Sequence, residues 1–457
     1  MTPYKSLALL ALAAAGALGG CKSDILGTTD PDIILEANSA SGALALKNGV
    51  LLRLAQALNG VQGPDAFFVY SGLVTDEWRS GDTFVQRNNQ DQRIWEPTNT
   101  FNADPYRRLN RVRVEAVAAT RALRQFVPDS LYLVGRLFGL TAYVEVLIGE
   151  NYCNGTPLSG LDGTTIIYGQ PLSNDSVLAL AIQSADSALA QAALAPPRDS
   201  IQARRVTRLA SVVKGRALMD RGQFAAAAAA VAGVPDTFRY QITHSVNANT
   251  NQIFALNNSA RRYTMVDTEG VVGLNFISAN DPRLPRATGT NSSTDLIFDS
   301  AFPLFVTRQG IWNSTAPVSI VTGIEARLIE AEALLQAGNT VGWLTAINTI
   351  RTNATLYPPI QTGFTRGPNL TAIVDTFASN TSRMKTNFRE RAFWMFSTGH
   401  RLGDMRRMVR QYAYPADSIY PRGGYYKGGA FGTALMLPVP FEEVNNPNFT
   451  ACTNLDP

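Results

Sequence analysis

The sequence predicts a mainly α protein, a stack of helical hairpins interrupted by long irregular insertions. Three observations carry that expectation. Apolar residues recur with helical spacing in well-separated blocks, strict alternation over strand lengths is scarce, and two of the blocks repeat one another around a glycine. At 457 residues the chain exceeds what one compact core accommodates, so several domains or an extended repeat is required.

The chain opens on MTPYKSLALLALAAAGALGGCKSD, in which Lys5 precedes an apolar run from Leu7 to Leu18. That run suits a secretory signal and is too short to span a bilayer. Leu18-Gly19-Gly20 before Cys21 resembles a bacterial lipobox, so residues 1–20 are expected to be a lipoprotein signal peptide and Cys21 the lipidated first residue of a tether over 21–40. Acyl chains contribute about 0.8 kcal/mol per buried CH₂, and several of them hold a folded body at a membrane. No later stretch approaches 18 uninterrupted apolar residues, so the chain is expected to be tethered and not to span.

In 176–194 one helical face collects Val177, Leu180, Ala181, Ala185, Ala188 and Leu189, and Pro196-Pro197 closes the helix. Residues 206–221 continue with Val206, Leu209, Val213 and Ala217, then a turn at Gly222 and an Ala-rich helix to Ala232. In 323–352 the faces are Ile324, Leu328, Ala331 and Leu335, a turn at Gly338-Asn339, then Leu344, Ile347 and Ile350. ALMDRGQ at 217–223 aligns with ALLQAGN at 333–339. Two antiparallel helices joined at a glycine, with small residues at the crossing, form the unit of tetratricopeptide repeats, and each pair exposes an apolar face that only a neighbouring pair can bury. A right-handed superhelix of such hairpins follows. The segments 235–322 and 353–382 are rich in Asn, Thr, Gly and Pro and read as insertions long enough to carry function.

A net charge of +4 and 17% charged residues give no electrostatic footprint for nucleic acid, and no such partner is expected. Beyond Cys21 only Cys153 and Cys452 remain, and neither lies in a metal-ligand spacing. An exported protein meets an oxidising compartment, so a structural disulfide between them is expected, pinning the tail from 445 to the loop NYCNGTPLSG. The chain has two histidines. His244 has no acidic cluster beside it, and His400 has Ser397 nearby in MFSTG, which lacks the first glycine of a nucleophile elbow. No metal, no cofactor and no enzyme activity are expected. GGYYKGGAFG at 423–432 follows no strand and reads as a flexible surface loop.

Several stretches together resemble the SusD/RagB family of outer-membrane nutrient-binding lipoproteins. They are CKSDILG at the tether, DPRL at 281–284, EARLIEAEALLQAGN with AINTIR over 325–351, ERAFWMFSTGHRLGDMRRM at 390–408 and LMLPVPFEEVNNPNF at 435–449. The resemblance implies a SusD-like domain over 41–457 with a ligand-facing insertion around 235–322. It implies a surface-facing protein lipid-anchored to the outer membrane, a nutrient ligand, most often a glycan, and a SusC-like TonB-dependent β-barrel transporter as partner. It also implies that residues 389–410 are scaffold, with ligand contacts supplied by loops. The residues of this stretch agree: Phe393, Trp394 and Phe396 can bury one helix, Gly399-His400 breaks it, and a second begins near Leu402. Glu390, Arg391, Arg401 and Asp404 are expected to pair or cap the helix ends, while the remaining charge is solvated, paired or set against a partner.

Sugars are recognised by flat aromatic rings with Asn, Asp and Arg bonding hydroxyls, which directs attention to aromatics in polar loops. TDEWRSGDTF at 75–84 offers Trp78 with Asp76, Arg79 and Asp82; QRIWEPTNTFN at 92–102 offers Trp95; RQGIWNST at 308–315 offers Arg308, Trp312 and Asn313. Burial of each tryptophan in a local core is the alternative. At the level of function, the competing expectation is a tethered helical-repeat adaptor that binds other proteins and no small ligand.

Overall fold

The computed structural model of the chain describes residues 37–60, 65–163, 165–291 and 294–455. The signal peptide, Cys21 and most of the tether lie outside them. Twelve α-helices are described: α1 (Ala40–Leu58), α2 (Phe67–Gly72), α3 (Val85–Asp91), α4 (Thr100–Phe126), α5 (Leu131–Asn151), α6 (Asn174–Ala193), α7 (Ser200–Asp220), α8 (Phe224–Val231), α9 (Gly323–Gln336), α10 (Thr340–Arg351), α11 (Asn380–Trp394) and α12 (Arg401–Arg410). Several of their starts are marked in the sequence. Side chains of Ser39, Ser173, Thr322, Asn339 and Ser379 each accept a hydrogen bond from a first-turn backbone N–H, satisfying donors that the helix cannot.

The helices pack in pairs: α1 on α4, α5 on α6, α6 on α7, α7 on α8, and α9 on α10. The two aligned turns behave alike, since Gly222 and Gly338 both take left-handed φ values, +72° and +76°, where a Cβ would be strained. Small residues set the crossing distance. A Cβ on Gly215 would lie 2.5 Å from Val231 Cγ1, so α7 and α8 approach as closely as they do only because position 215 has none. Helix α5 is long and apolar enough to cross a membrane, but most of that stretch is buried in the protein against α6 and α7.

The long central insertion leaves the scaffold after α8 and returns at α9. Its ends are zipped together by antiparallel strands 239–242 and 318–322, with a bulge between Ser319 and Val321. A second clip ties it to the early loop, where Arg79-Ser80 pairs with Tyr263-Thr264. One contiguous apolar core runs from Ala43 in α1 to Phe449 in the tail. The tail is held by Cys153–Cys452 and by backbone hydrogen bonds from Cys153 to Leu437 and from Thr453 to Asn154. The 423–432 segment differs from its sequence reading as a flexible loop. Tyr425 is buried and its hydroxyl donates to Asp91 Oδ2 at 2.9 Å, and Lys427 pairs with Asp299 at 2.7 Å.

Candidate functional site

A cavity of about 310 Å³ opens where the insertion meets the scaffold. The strand pair at the insertion's base supplies Arg239, Gln241 and Ser319, the segment from Thr355 to Pro359 forms a second wall, and the bend between α11 and α12 forms the floor. Trp312, Tyr357, Phe393, Trp394 and Phe396 line it with rings, while Glu325, Thr398 and His400 bring polar groups to its back. A concave site that is largely apolar with a few convergent polar groups is the usual form of a small-ligand site. Trp394 is half-buried, and its Nε1–H is out of contact with solvent and has no hydrogen-bond partner. Burying an indole N–H unpaired is costly. Tyr357 stands 5.8 Å from Trp394, ring centre to ring centre, and is fixed by donating to Arg351 O at 2.7 Å.

Behind the cavity His400 Nε2 accepts from Arg216 Nη1 at 2.8 Å and lies 3.2 Å from Glu325 Oε1; its Nδ1 faces Thr398 Oγ1 at 2.9 Å. Burial and then Arg216 hold the imidazole below its ordinary pKa, with Glu325 opposing them. Burial works to raise Glu325, but His400, Arg216 and Arg391 outweigh it and hold the carboxyl below its usual range. The Ser397 hydroxyl points elsewhere, accepting from Trp78 Nε1 at 2.8 Å. His400 and Ser397 therefore serve different partners and do not form a nucleophile–base pair. Among the described residues there is no group of three or more His, Cys, Asp or Glu arranged to hold a metal ion.

Of the residues expected from the sequence to contact a ligand, the structure brings only Trp312 to this cavity, with Asn313 exposed beside it and donating to Gln361 Oε1 at 3.2 Å. Trp78 is a correction: it is fully buried, packed on Phe396 at 5.1 Å and on Tyr263, and it braces the cavity floor from behind. Asp82 is also buried, pinned between Arg87 and Arg262. Arg79 is spent on Glu269 at 2.6 Å and Thr268 O at 2.8 Å, and Arg308 on Asp295 at 2.8 Å. Trp95 is half-buried against the main core and lies outside the cavity lining. The polar loop composition that pointed to these residues reflects clips that fasten the insertion to the early loop, because buried charges must be paired.

Sequence reasoning missed two exposed phenylalanines. Phe84 and Phe298, 45% and 41% exposed, flank Arg262, whose guanidinium lies 5.1 Å and 3.8 Å from their ring centres. An early region and the insertion do meet on a surface, but through these rings. A preference for tryptophan hid them, although Phe84 ends the quoted TDEWRSGDTF.

Ser397 adopts φ +55°, unusual for a residue with a side chain. Its N–H donates to Glu77 Oε1 at 2.8 Å and its hydroxyl accepts from Trp78, so residues 77–78 hold the bend that forms the floor. Burial pushes the Glu77 carboxyl up to about 8, against the Ser397 N–H and Arg401. The folded chain then keeps this proton through neutrality, whereas the unfolded chain loses it above its ordinary value of 4.5. Its contribution to stability is present below the unfolded value and is lost as pH rises towards 8. Glu77→Gln, which cannot ionise, is expected to gain on the wild type in melting temperature between pH 4.5 and 8. Parallel melting curves for the two proteins across that range would refute the assignment.

Arg391, Arg401, Arg406 and Arg407 are buried about the bend, and all but Arg406 are ion-paired. Arg401 grips Asp76 at 2.6 and 2.8 Å, and Arg391 grips Asp404 at 3.1 Å through both oxygens. Arg406 donates to the carbonyls of Gly149, Glu150 and Tyr152 and so caps the C-terminus of α5. Glu390 meets Arg283 at 2.6 Å, and Arg283 in turn grips Asp281. Two separate sequence motifs, DPRL and ERAFW, are thus halves of one ion-pair cluster.

No protein-family model matches the sequence, and no curated protein is similar to it by sequence. Solved structures are similar in fold. A SusD-like carbohydrate binding protein from Bacteroides fragilis superposes with a TM-score of 0.63 at 14% identity, covering 90% of this chain and 99% of the other. A SusD homolog from Bacteroides thetaiotaomicron gives 0.61 at 13% identity over 91% and 97%. A SusD/RagB family protein of the same species gives 0.59 at 14% identity over 87% and 94%. From the paired helices to the disulfide-held tail, this chain has the fold of SusD-like proteins.

Proposed function

We propose that this chain is a non-catalytic, outer-membrane lipoprotein of the SusD/RagB family that binds a glycan and delivers it to a SusC-like TonB-dependent β-barrel. The cavity walled by Trp312, Tyr357 and Trp394 carries the ligand half of this reading. Rings provide flat apolar faces for a sugar, and Arg239, Gln241 and Ser319 can bond hydroxyls at the mouth. Likeness to a SusD-like carbohydrate binding protein supports the same ligand class. Lipidation at Cys21 and a place at the cell surface belong to this reading on the strength of the lipobox and the fold.

Titration calorimetry of the mature protein against a panel of oligosaccharides tests it. Trp394→Ala is expected to weaken the bound glycan by about tenfold or more, as loss of an anchoring aromatic does. Trp394→Phe, which keeps a ring and removes only the N–H, should weaken it less. Unchanged affinity in both would remove the cavity from the account; loss instead in Phe84→Ala and Phe298→Ala would move the site to the exposed rings. Co-elution of a β-barrel with the tagged, gently solubilised lipoprotein tests the partner. Elution with other proteins, and no saccharide binding, would favour the adaptor.

A further inference from the structure

A second cavity, of about 160 Å³, lies where the insertion meets α11 and α12, and it shares no lining residue with the ring-lined one. Leu274 from the insertion, Phe388 from α11, Met408 from α12 and Ile419 give it apolar walls, the last three of them buried. An apolar cavity of about 150 Å³ is enough to hold a benzene ring, so these walls suit a hydrocarbon body of about six carbons. Three cations border the same space, Lys385 and Arg389 from α11 and Arg401 from α12, against one carboxylate, that of Asp76.

That carboxylate is already engaged. Arg401 binds both its oxygens, at 2.6 and 2.8 Å, and the Leu274 N–H donates to Oδ2 at 2.8 Å. Lys385 and Arg389 have only neutral partners. Lys385 Nζ stands 5.5 Å from the ring centre of Tyr414, while Arg389 donates from Nη2 to Asn275 Oδ1 at 3.1 Å and lies 4.3 Å from the ring centre of Phe393. Among the described residues neither forms an ion pair. Glu390 and Asp281 attract Arg389 from the neighbouring cluster, but Arg283 and Arg351 hold the first and Arg283 the second. Four residues apart on α11, Lys385 and Arg389 share a helix face, where like charges repel. An anion set between them turns that repulsion into binding.

We propose that this cavity binds a small free acid with an apolar body, its carboxylate held by Lys385 and Arg389 and its hydrocarbon laid against Leu274, Phe388, Met408 and Ile419. A guanidinium presents forked donors to the two oxygens of a carboxylate, and the exposed ammonium of Lys385 adds a second charge. The walls favour such an acid over a bare ion, and the cations favour it over a neutral molecule of the same length.

Thermal shift of the full mature chain with sodium hexanoate, against sodium acetate and 1-hexanol at matched ionic strength, tests the site. Hexanoate is expected to raise the melting temperature saturably, and neither acetate nor hexanol to do so. Lys385→Gln should need about tenfold more hexanoate for the same rise, the loss of one charge-assisted contact, and Lys385→Arg should restore most of it. Lys385 is exposed, so both variants leave the core intact. Trp394→Phe, in the ring-lined cavity, should respond to hexanoate as the wild type does. An equal rise with acetate would reduce the site to charge alone, and an equal rise with hexanol would reduce it to apolar uptake. No saturable rise with hexanoate, or a rise that Lys385→Gln leaves unchanged, overturns the proposal outright.

Discussion

Arg407→Ala is expected to destabilise the fold by about 3–5 kcal/mol, the cost of leaving buried charges without their partner. Arg407 is 2% exposed and serves three carboxylates: Glu332 through both oxygens, Asp404 at 2.8 Å and Asp220 at 3.1 Å. Glu332 is completely buried, so the alanine variant leaves its charge away from bulk solvent. Arg407→Lys should recover only part of the loss, because one ammonium cannot present forked donors to three acceptors. Burial opposes ionisation of Asp404, but Arg391 and Arg407 outweigh it and hold its carboxyl well below the usual range. Its share of stability is therefore present above the ordinary value of 3.8 and lost only in stronger acid; in Arg407→Ala that loss should begin at higher pH. Urea midpoints for the three proteins check the prediction. An alanine variant within 1 kcal/mol of wild type would show that the cluster is not a keystone.

Removing the Cys153–Cys452 disulfide is the second large effect, with about 2–5 kcal/mol expected. The bond joins residues 299 apart, so it restricts most of the unfolded chain, and a loop of that length places the entropic gain at the upper end of the range. It also fastens the tail, whose Leu437, Pro438 and Thr453 bond the end of α5, α4 and the 153–157 loop. Cys153→Ala/Cys452→Ala should melt earlier than wild type and release the tail beyond 445 to protease while the helices remain intact. Alanine suits the buried Cys153, where serine would bury a hydroxyl. Equal melting temperatures with and without reductant, once both thiols titrate as free, would count against the bond's contribution.

Helix periods of the scaffold could be read directly. The aligned ALMDRGQ and ALLQAGN end α7 and α9 at left-handed glycines, as their spacing indicated, and the break at Gly399-His400 falls between α11 and α12. Helix α7 begins six residues before its first recognised apolar position, because its opening turns are largely polar and exposed. The binding residues were far less legible. Trp78 and Trp312 looked alike, each an aromatic among polar neighbours, yet one is sealed by Phe396 and Ser397 and the other borders the cavity. Trp394, placed among scaffold residues, faces the cavity from the end of α11.

Features that depend on neighbours along the chain were legible in its residues: the helical hairpins, their glycine turns and serine, threonine and asparagine caps, because period and φ preference are local properties. Which charges are paired and which rings are reachable depends on contacts between distant parts of the chain. Asp76 meets Arg401 across 325 residues, Glu390 meets Arg283 across 107, and Phe84 meets Phe298 only through Arg262, which stands against both rings. Such meetings are set by how the insertion docks on the scaffold, and no local period encodes that docking.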